Sequence, residues 1–308
     1  MNGELRRLGR IRGLALVIGA LSLVVVAVSA YLRLDAAGLG CADWPACYGG
    51  ILAGDPTPLH YGFARLLHRL AASAALVLTC VLVWQCLRPR AVDAARPALL
   101  LLGLMLALSA LGFFSADPRR ALVGFLNIVG GLGLVSFSWR VVLAATPAAT
   151  RPVRLAPTPL FRLAIAVLSL TVLLGAWLGA TYSALACPSL PGCAGSSTAL
   201  AEGWSALNPL LVLRAAALPG APDGVLLHLL HRGLALLTVL LLGGAMLAEL
   251  ATAGRRLAAS VLALLLAVTA LGVAAIASGL DLWLVIVHGV VAALLLAAVA
   301  TLLRLRPL

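Results

Sequence analysis

The residues able to do chemistry in this 308-residue chain are few and regularly placed. Cys41 and Cys47 are six apart, and so are Cys187 and Cys193. Each pair is followed by a His-Arg dipeptide, His68-Arg69 after the first and His231-Arg232 after the second, and His288 stands alone further on. Two cysteines at this spacing can close a short loop as a disulfide. The prolines inside the loops (Pro45; Pro188 and Pro191) bend the chain toward that closure. Such a loop serves either as a local staple or as a redox-active or partner-docking element, and both readings are open. The CxxC pairs of a zinc site are missing. Imidazole can ligate a metal or hydrogen-bond within a helix bundle. An arginine beside it can grip a carboxylate through two parallel hydrogen bonds, or simply extend toward a polar surface.

These groups are positioned by apolar segments. The chain is 63% hydrophobic and 10% charged, against roughly 25% charged residues in soluble domains. It reads as an all-α polytopic membrane protein. Eight segments reach the ~20 residues that a span requires, at roughly 13–33, 64–87, 97–116, 120–143, 160–183, 225–249, 257–279 and 282–303. The first lacks a small-residue cleavage site and is read as a retained span. All 22 basic residues are arginine, and they sit in short loops rather than on one face, so the net charge of +12 points to membrane topology and not to nucleic acid. Alternate connections hold 15 and 7 of the arginines, which puts both termini in the cytoplasm. The opposite loops hold seven of the ten acidic residues and the four loop cysteines. Those loops then face the periplasm or exterior, where disulfides persist.

The chain also repeats. Residues 107–112 (ALSALG) match 267–272 (AVTALG), the His-Arg pairs are offset by 163 and the cysteine pairs by 146. Four spans per half make the repeat parallel. The expected fold is eight transmembrane helices forming two pseudo-symmetric four-helix bundles, residues 1–145 and 146–308. Gly130-Gly131 and Gly243-Gly244 permit close helix approach or leave room for a planar ligand.

Ionisable groups inside spans are costly and therefore functional candidates. His68, His231 and His288 each fall near the outer end of a span. A four-helix bundle can present two imidazoles from facing helices to a haem iron. His231 and His288, in one half, suit that role; the alternative is a hydrogen-bonded pair. Arg69 and Arg232 at the same helix mouths suit haem propionates, or else snorkel. The first half departs from this symmetry. The position matching His288 is Asn127, a poor iron ligand, so His68 would hold an iron from one side and leave the other open. His60 reads as a solvated loop residue, His228, one turn before His231 on the same face, as a supporting or interfacial residue and not a ligand, and Cys80 and Cys86 as buried structural thiols.

With these residues in view, the run Ala30-Tyr31-Leu32-Arg33-Leu34 and the loop Gly38-Leu39-Gly40-Cys41-Ala42-Asp43-Trp44-Pro45-Ala46-Cys47 resemble the first helix end and outer loop of haem A synthases. Both His-Arg pairs, the second cysteine loop and the histidine of span eight are similar to the same family, so the resemblance covers essentially the whole chain. It implies oxidation of the C8 methyl of haem O to a formyl group, giving haem A for terminal oxidases. It implies a haem b held by His231 and His288, and a substrate haem, haem O, at His68 and Asn127. It implies a bacterial inner (plasma) membrane location and a partner in the membrane farnesyltransferase that makes haem O; homo-oligomerisation is compatible with it. Two positions depart from the family pattern: Asn127 stands where the family usually has His, and Arg65 where it usually has Glu. Arg65 and Arg69 are four apart on one helical face and could clamp two propionates. The alternative function is non-enzymatic haem binding for delivery or oxidase assembly.

Overall fold

The computed structural model describes residues 2–36, 62–88, 92–112, 121–146, 158–193, 196–208, 220–250 and 254–305. The first cysteine pair, Cys41 and Cys47, the Asp43-Trp44-Pro45 run between them and His60 lie outside the described residues. The chain folds as α1 (Asn2–Ala36), α2 (Gly62–Leu87), α3 (Val92–Leu111), α4 (Ala121–Ala144), α5 (Pro159–Ala180), the short α6 (Ser196–Glu202), α7 (Pro222–Glu249), α8 (Arg255–Ala277) and α9 (Leu282–Leu305), with 3-10 turns at Ser183–Ala186 and Gly203–Leu207. All but α6 are long and apolar enough to cross a membrane, eight helices in all. The described residues contain no strand, as a lipid environment requires of a chain that satisfies its backbone within each span. The all-helical, multi-pass expectation is borne out.

The helix ends follow from local chemistry. The side chain of Thr158 accepts from the Phe161 amide at 3.2 Å, and Pro159 occupies the first helical position of α5. Asp281 caps α9, its Oδ1 accepting from the Trp283 and Leu284 amides at 2.9 and 3.1 Å. The tight α8–α9 turn before it runs through Gly279 at φ 73°, a left-handed conformation that glycine adopts at no steric cost. The first helix is longer than the expected 13–33, because the arginine-rich start continues it toward the N-terminus. There Arg7 donates through Nε and Nη2 to the Gln85 carbonyl at 3.2 and 2.8 Å, tying α1 to the end of α2.

In the first half α1, α2, α3 and α4 form a closed ring of neighbours, each packed against the next. In the second half α5 packs on α7, α7 on α8 and α8 on α9, with no close packing between α9 and α5 among the described residues. Helix α4 fills that open edge, packing against both α5 and α9 as well as its own half, while α1 also packs on α9. Apolar contact between helices gains little in lipid, so small residues and polar bonds carry the specificity. A Cβ at Gly131 would lie 3.1 Å from Val26, and one at Gly130 would collide with Leu108, so this pair serves close helix packing. Gly243 faces Leu262 and Leu265 at ordinary contact distance. Trp139 Nε1 donates to Thr301 Oγ1 at 2.8 Å across the α4–α9 seam. Between the end of α1 and the end of α5, Arg33 Nη1 donates to the Gly179 carbonyl at 2.7 Å, and the Tyr182 hydroxyl donates to the Arg33 carbonyl at 3.2 Å.

Candidate functional site

Helix α7 carries His231 and α9 carries His288, and these helices are diagonal across the second half. The two imidazoles are close enough to interact electrostatically. His288 Nδ1 lies 2.9 Å from the Val268 carbonyl, one helix away on α8. A carbonyl can only accept, so Nδ1 carries the proton and Nε2 keeps its lone pair, the tautomer a metal ligand needs. Each ring rests on a glycine of a neighbouring helix. A Cβ at Gly175 on α5 would lie 2.7 Å from His231 Cε1, and one at Gly272 on α8 would lie 3.2 Å from His288 Cε1. Two turns below His231, Thr238 shares a buried hydrogen bond of 2.8 Å with Thr171, which fastens α7 to α5 beneath the ring.

Buried nitrogens without a partner are rare, because each costs roughly 1–3 kcal/mol. Among the side chains of the described residues there are three: His228 Nδ1, His231 Nδ1 and Arg232 Nε. All fall within five consecutive residues of α7. The backbone of Thr171 neighbours the His231 ring, and that of Ala184 neighbours His228, yet neither Nδ1 makes a hydrogen bond of normal geometry. A concentration of unsatisfied donors and acceptors beside two diagonal imidazoles is what a site for a polar-edged, metal-bearing ligand looks like. The residues fit a haem: two imidazoles, one of fixed tautomer, a glycine behind each ring and polar nitrogens at the outer edge.

Arg232 is engaged with the second cysteine loop. The Cys187–Cys193 disulfide closes that loop. Its carbonyls at Ser189, Pro191 and Cys187 accept from the Arg232 guanidinium at 2.9, 3.2 and 3.0 Å. His228 is fully buried beside it, one turn before His231.

In the first half, α2 with His68 and α4 with Asn127 are again diagonal in the ring of helices. His68 and Asn127 are half-buried, whereas Arg65 and Arg69 are exposed at the same end of α2. Cys86 is buried, as the sequence suggests, but Cys80 is exposed on the outer face of α2. That face points to lipid, where a thiol is tolerated as a small apolar group.

Sequence reasoning alone uses Gly272 only as a marker of the repeat and misses Gly175. A signal was available: Gly175 precedes Cys187 by twelve residues, as the small Ser29 precedes Cys41. The glycines yield a graded prediction. Gly175→Ala forces the His231 ring aside, whereas Gly272→Ala asks only a few tenths of an ångström of His288. Overpacking of this kind costs about 1–3 kcal/mol. Haem retained per chain, read by pyridine haemochrome, should fall about tenfold or more for Gly175→Ala and only slightly for Gly272→Ala. Equal effects would mean that the rings are not held as described.

The chain is similar to known proteins along most of its length. The description "Cytochrome oxidase assembly protein" matches residues 122–300, a stretch that includes Asn127, Gly175, both cysteines of the second loop, His231, Arg232 and His288. A heme A synthase of Shewanella oneidensis is 29% identical over 317 residues, spanning 91% of this chain and 92% of the relative. With more than half of its length matched by that description and a relative aligned through both halves, the chain belongs to the cytochrome oxidase assembly protein family.

Proposed function

We propose that this protein is a haem A synthase-type membrane oxidoreductase that converts the C8 methyl of haem O to a formyl group. The observation that carries the reading is the cluster of buried, unpartnered nitrogens on α7 beside His231 and its diagonal partner His288. The similarity to a heme A synthase over nine-tenths of the chain supports it. His231 and His288 would hold a haem b, with residues 146–308 forming that half. His68 would hold the substrate haem in the half formed by residues 1–145. When bound, a haem supplies iron-centred electron transfer in the first case and oxidation in the second.

The chain's own residues have distinct tasks. The Val268 carbonyl keeps the proton on His288 Nδ1 and so leaves Nε2 available. Arg65 and Arg69, one turn apart at the outer end of α2, would attract the carboxylates of a bound porphyrin. Asn127, on the helix diagonal to that of His68, would offer an amide for hydrogen bonding rather than a second imidazole. The apolar spans exclude water from both sites. The protein would lie in the bacterial inner membrane with both termini cytoplasmic and the cysteine loops periplasmic, as the arginine bias and the loop disulfide support. Haem O would come from a membrane farnesyltransferase.

A second reading, non-enzymatic haem delivery or oxidase assembly, is favoured by Asn127 and Arg65, where the first half departs from the pattern of haem A synthases. Chromatography of haems extracted after expression with a haem O supply separates the two. Haem A in the extract is the expected result. Unmodified haem O with haem b alone would reject the oxidoreductase and leave delivery or assembly.

A further inference from the structure

We propose that Arg232 is a positioning residue: it ties the Cys187–Cys193 loop to the turn of α7 that carries His231, so that closure of the disulfide sets how firmly the His231 site holds its ligand. Three carbonyls of one seven-residue loop, those of Cys187, Ser189 and Pro191, converge on a single guanidinium at 3.0, 2.9 and 3.2 Å. An open loop of that length has no reason to aim three carbonyls at one point. The cross-link between its ends removes most of the conformations in which it would not. Two further bonds stiffen it: Ser189 Oγ donates to the Gly192 carbonyl at 2.7 Å, and the Gly220 amide donates to the Ala186 carbonyl at 3.0 Å, joining the loop's base to the entry of α7.

The guanidinium has a planar fork that can address several acceptors at once, which an ammonium does not match. It is attached to the residue directly after His231. The His231 ring has no slack, because Gly175 leaves it only the space that a missing side chain provides. A tether on one side of the turn and a glycine wall on the other therefore hold one ring orientation. With the loop open, Arg232 loses its acceptors and the turn loses its tether. The occupant relevant to the ligand site is the haem of the proposed function, and the inference rests on that reading for its effect though not for the tether itself.

The test uses the full-length protein in detergent, with monodispersity by gel filtration as the check on folding. The variants are Arg232→Gln, Arg232→Lys, the pair Cys187→Ser/Cys193→Ser, and the combination of Arg232→Gln with both serines. The first readout is the rate of haem b transfer to apomyoglobin. Arg232→Gln and the serine pair should each speed the loss roughly tenfold, the size expected for losing a charge-assisted hydrogen-bond set. The combination should add nothing further, since both break one tether. Arg232→Lys should recover part of the effect. Multiplicative effects would overturn the proposal and assign Arg232 to direct contact with the haem.

The second readout needs no haem. After brief exposure to dithiothreitol, alkylation of the Cys187 and Cys193 peptides is followed by mass spectrometry. Arg232→Gln should accelerate it several-fold, because the loop is no longer clamped. An unchanged rate would overturn the tether. Wild-type protein that binds no haem would sink the proposed function, while this second arm would still decide the tether.

Discussion

Replacing His231 with alanine is expected to abolish stoichiometric haem b in the purified protein, and His288→Ala is expected to do nearly the same. Each substitution removes one of the two imidazoles, His231 and His288, proposed to hold the haem, and leaves the other alone. The Soret absorbance per chain should fall from about one equivalent to a small fraction, and the low-spin signature of paired imidazoles should vanish from the electron paramagnetic resonance spectrum. Even outer partners of a metal ligand are worth roughly 10–100-fold in affinity, so loss of the ligand itself should exceed that. The His231 variant should be the harsher. His231 shares its turn with His228 and Arg232, where the unpartnered nitrogens cluster, whereas His288 has its Nδ1 already satisfied by Val268. Wild-type spectra retained in both variants would show that the alternative of a hydrogen-bonded pair is correct.

Replacing His68 with alanine should remove conversion of haem O by more than about a hundredfold, on the same reasoning about ligand loss, while the haem b proposed for His231 and His288 should stay at one per chain. The two sites lie on different helices, α2 and α4 against α7 and α9, so their occupancies should separate. The informative companion is Asn127→His. It places a second imidazole on the helix diagonal to that of His68, and the haem proposed for the first half should change from high-spin to low-spin. Reduced turnover in that variant would mean that the open position is used. A gain would mean that asparagine costs the site a ligand. No change in spin state would place Asn127 away from the iron, and the first-half site would need redrawing around Arg65 and Arg69.

The amino-acid sequence by itself determined the number and class of the elements. Lipid leaves a chain this apolar no alternative to helices, so 63% hydrophobic composition broken by arginine loops was enough to count eight spans. It also determined the candidate ligands, because a histidine is costly enough within a span to stand out against leucine and valine. The cysteine pair at 187 and 193 was legible from spacing and proline alone, and the structure joins it. Tertiary structure decided what periodicity cannot report, which is who faces whom. That α4 closes the open edge between α5 and α9 depends on which surfaces fit closely, and these spans are apolar on every side, so no amphipathic stripe announces it. The glycines behind His231 and His288 look like any membrane glycine until the rings are seen against them. The destination of Arg232 was open between a carboxylate and the polar surface. Its bonds to three loop carbonyls arise only once a chain segment some forty residues earlier has folded back over α7, a non-local contact that spacing along the chain cannot encode.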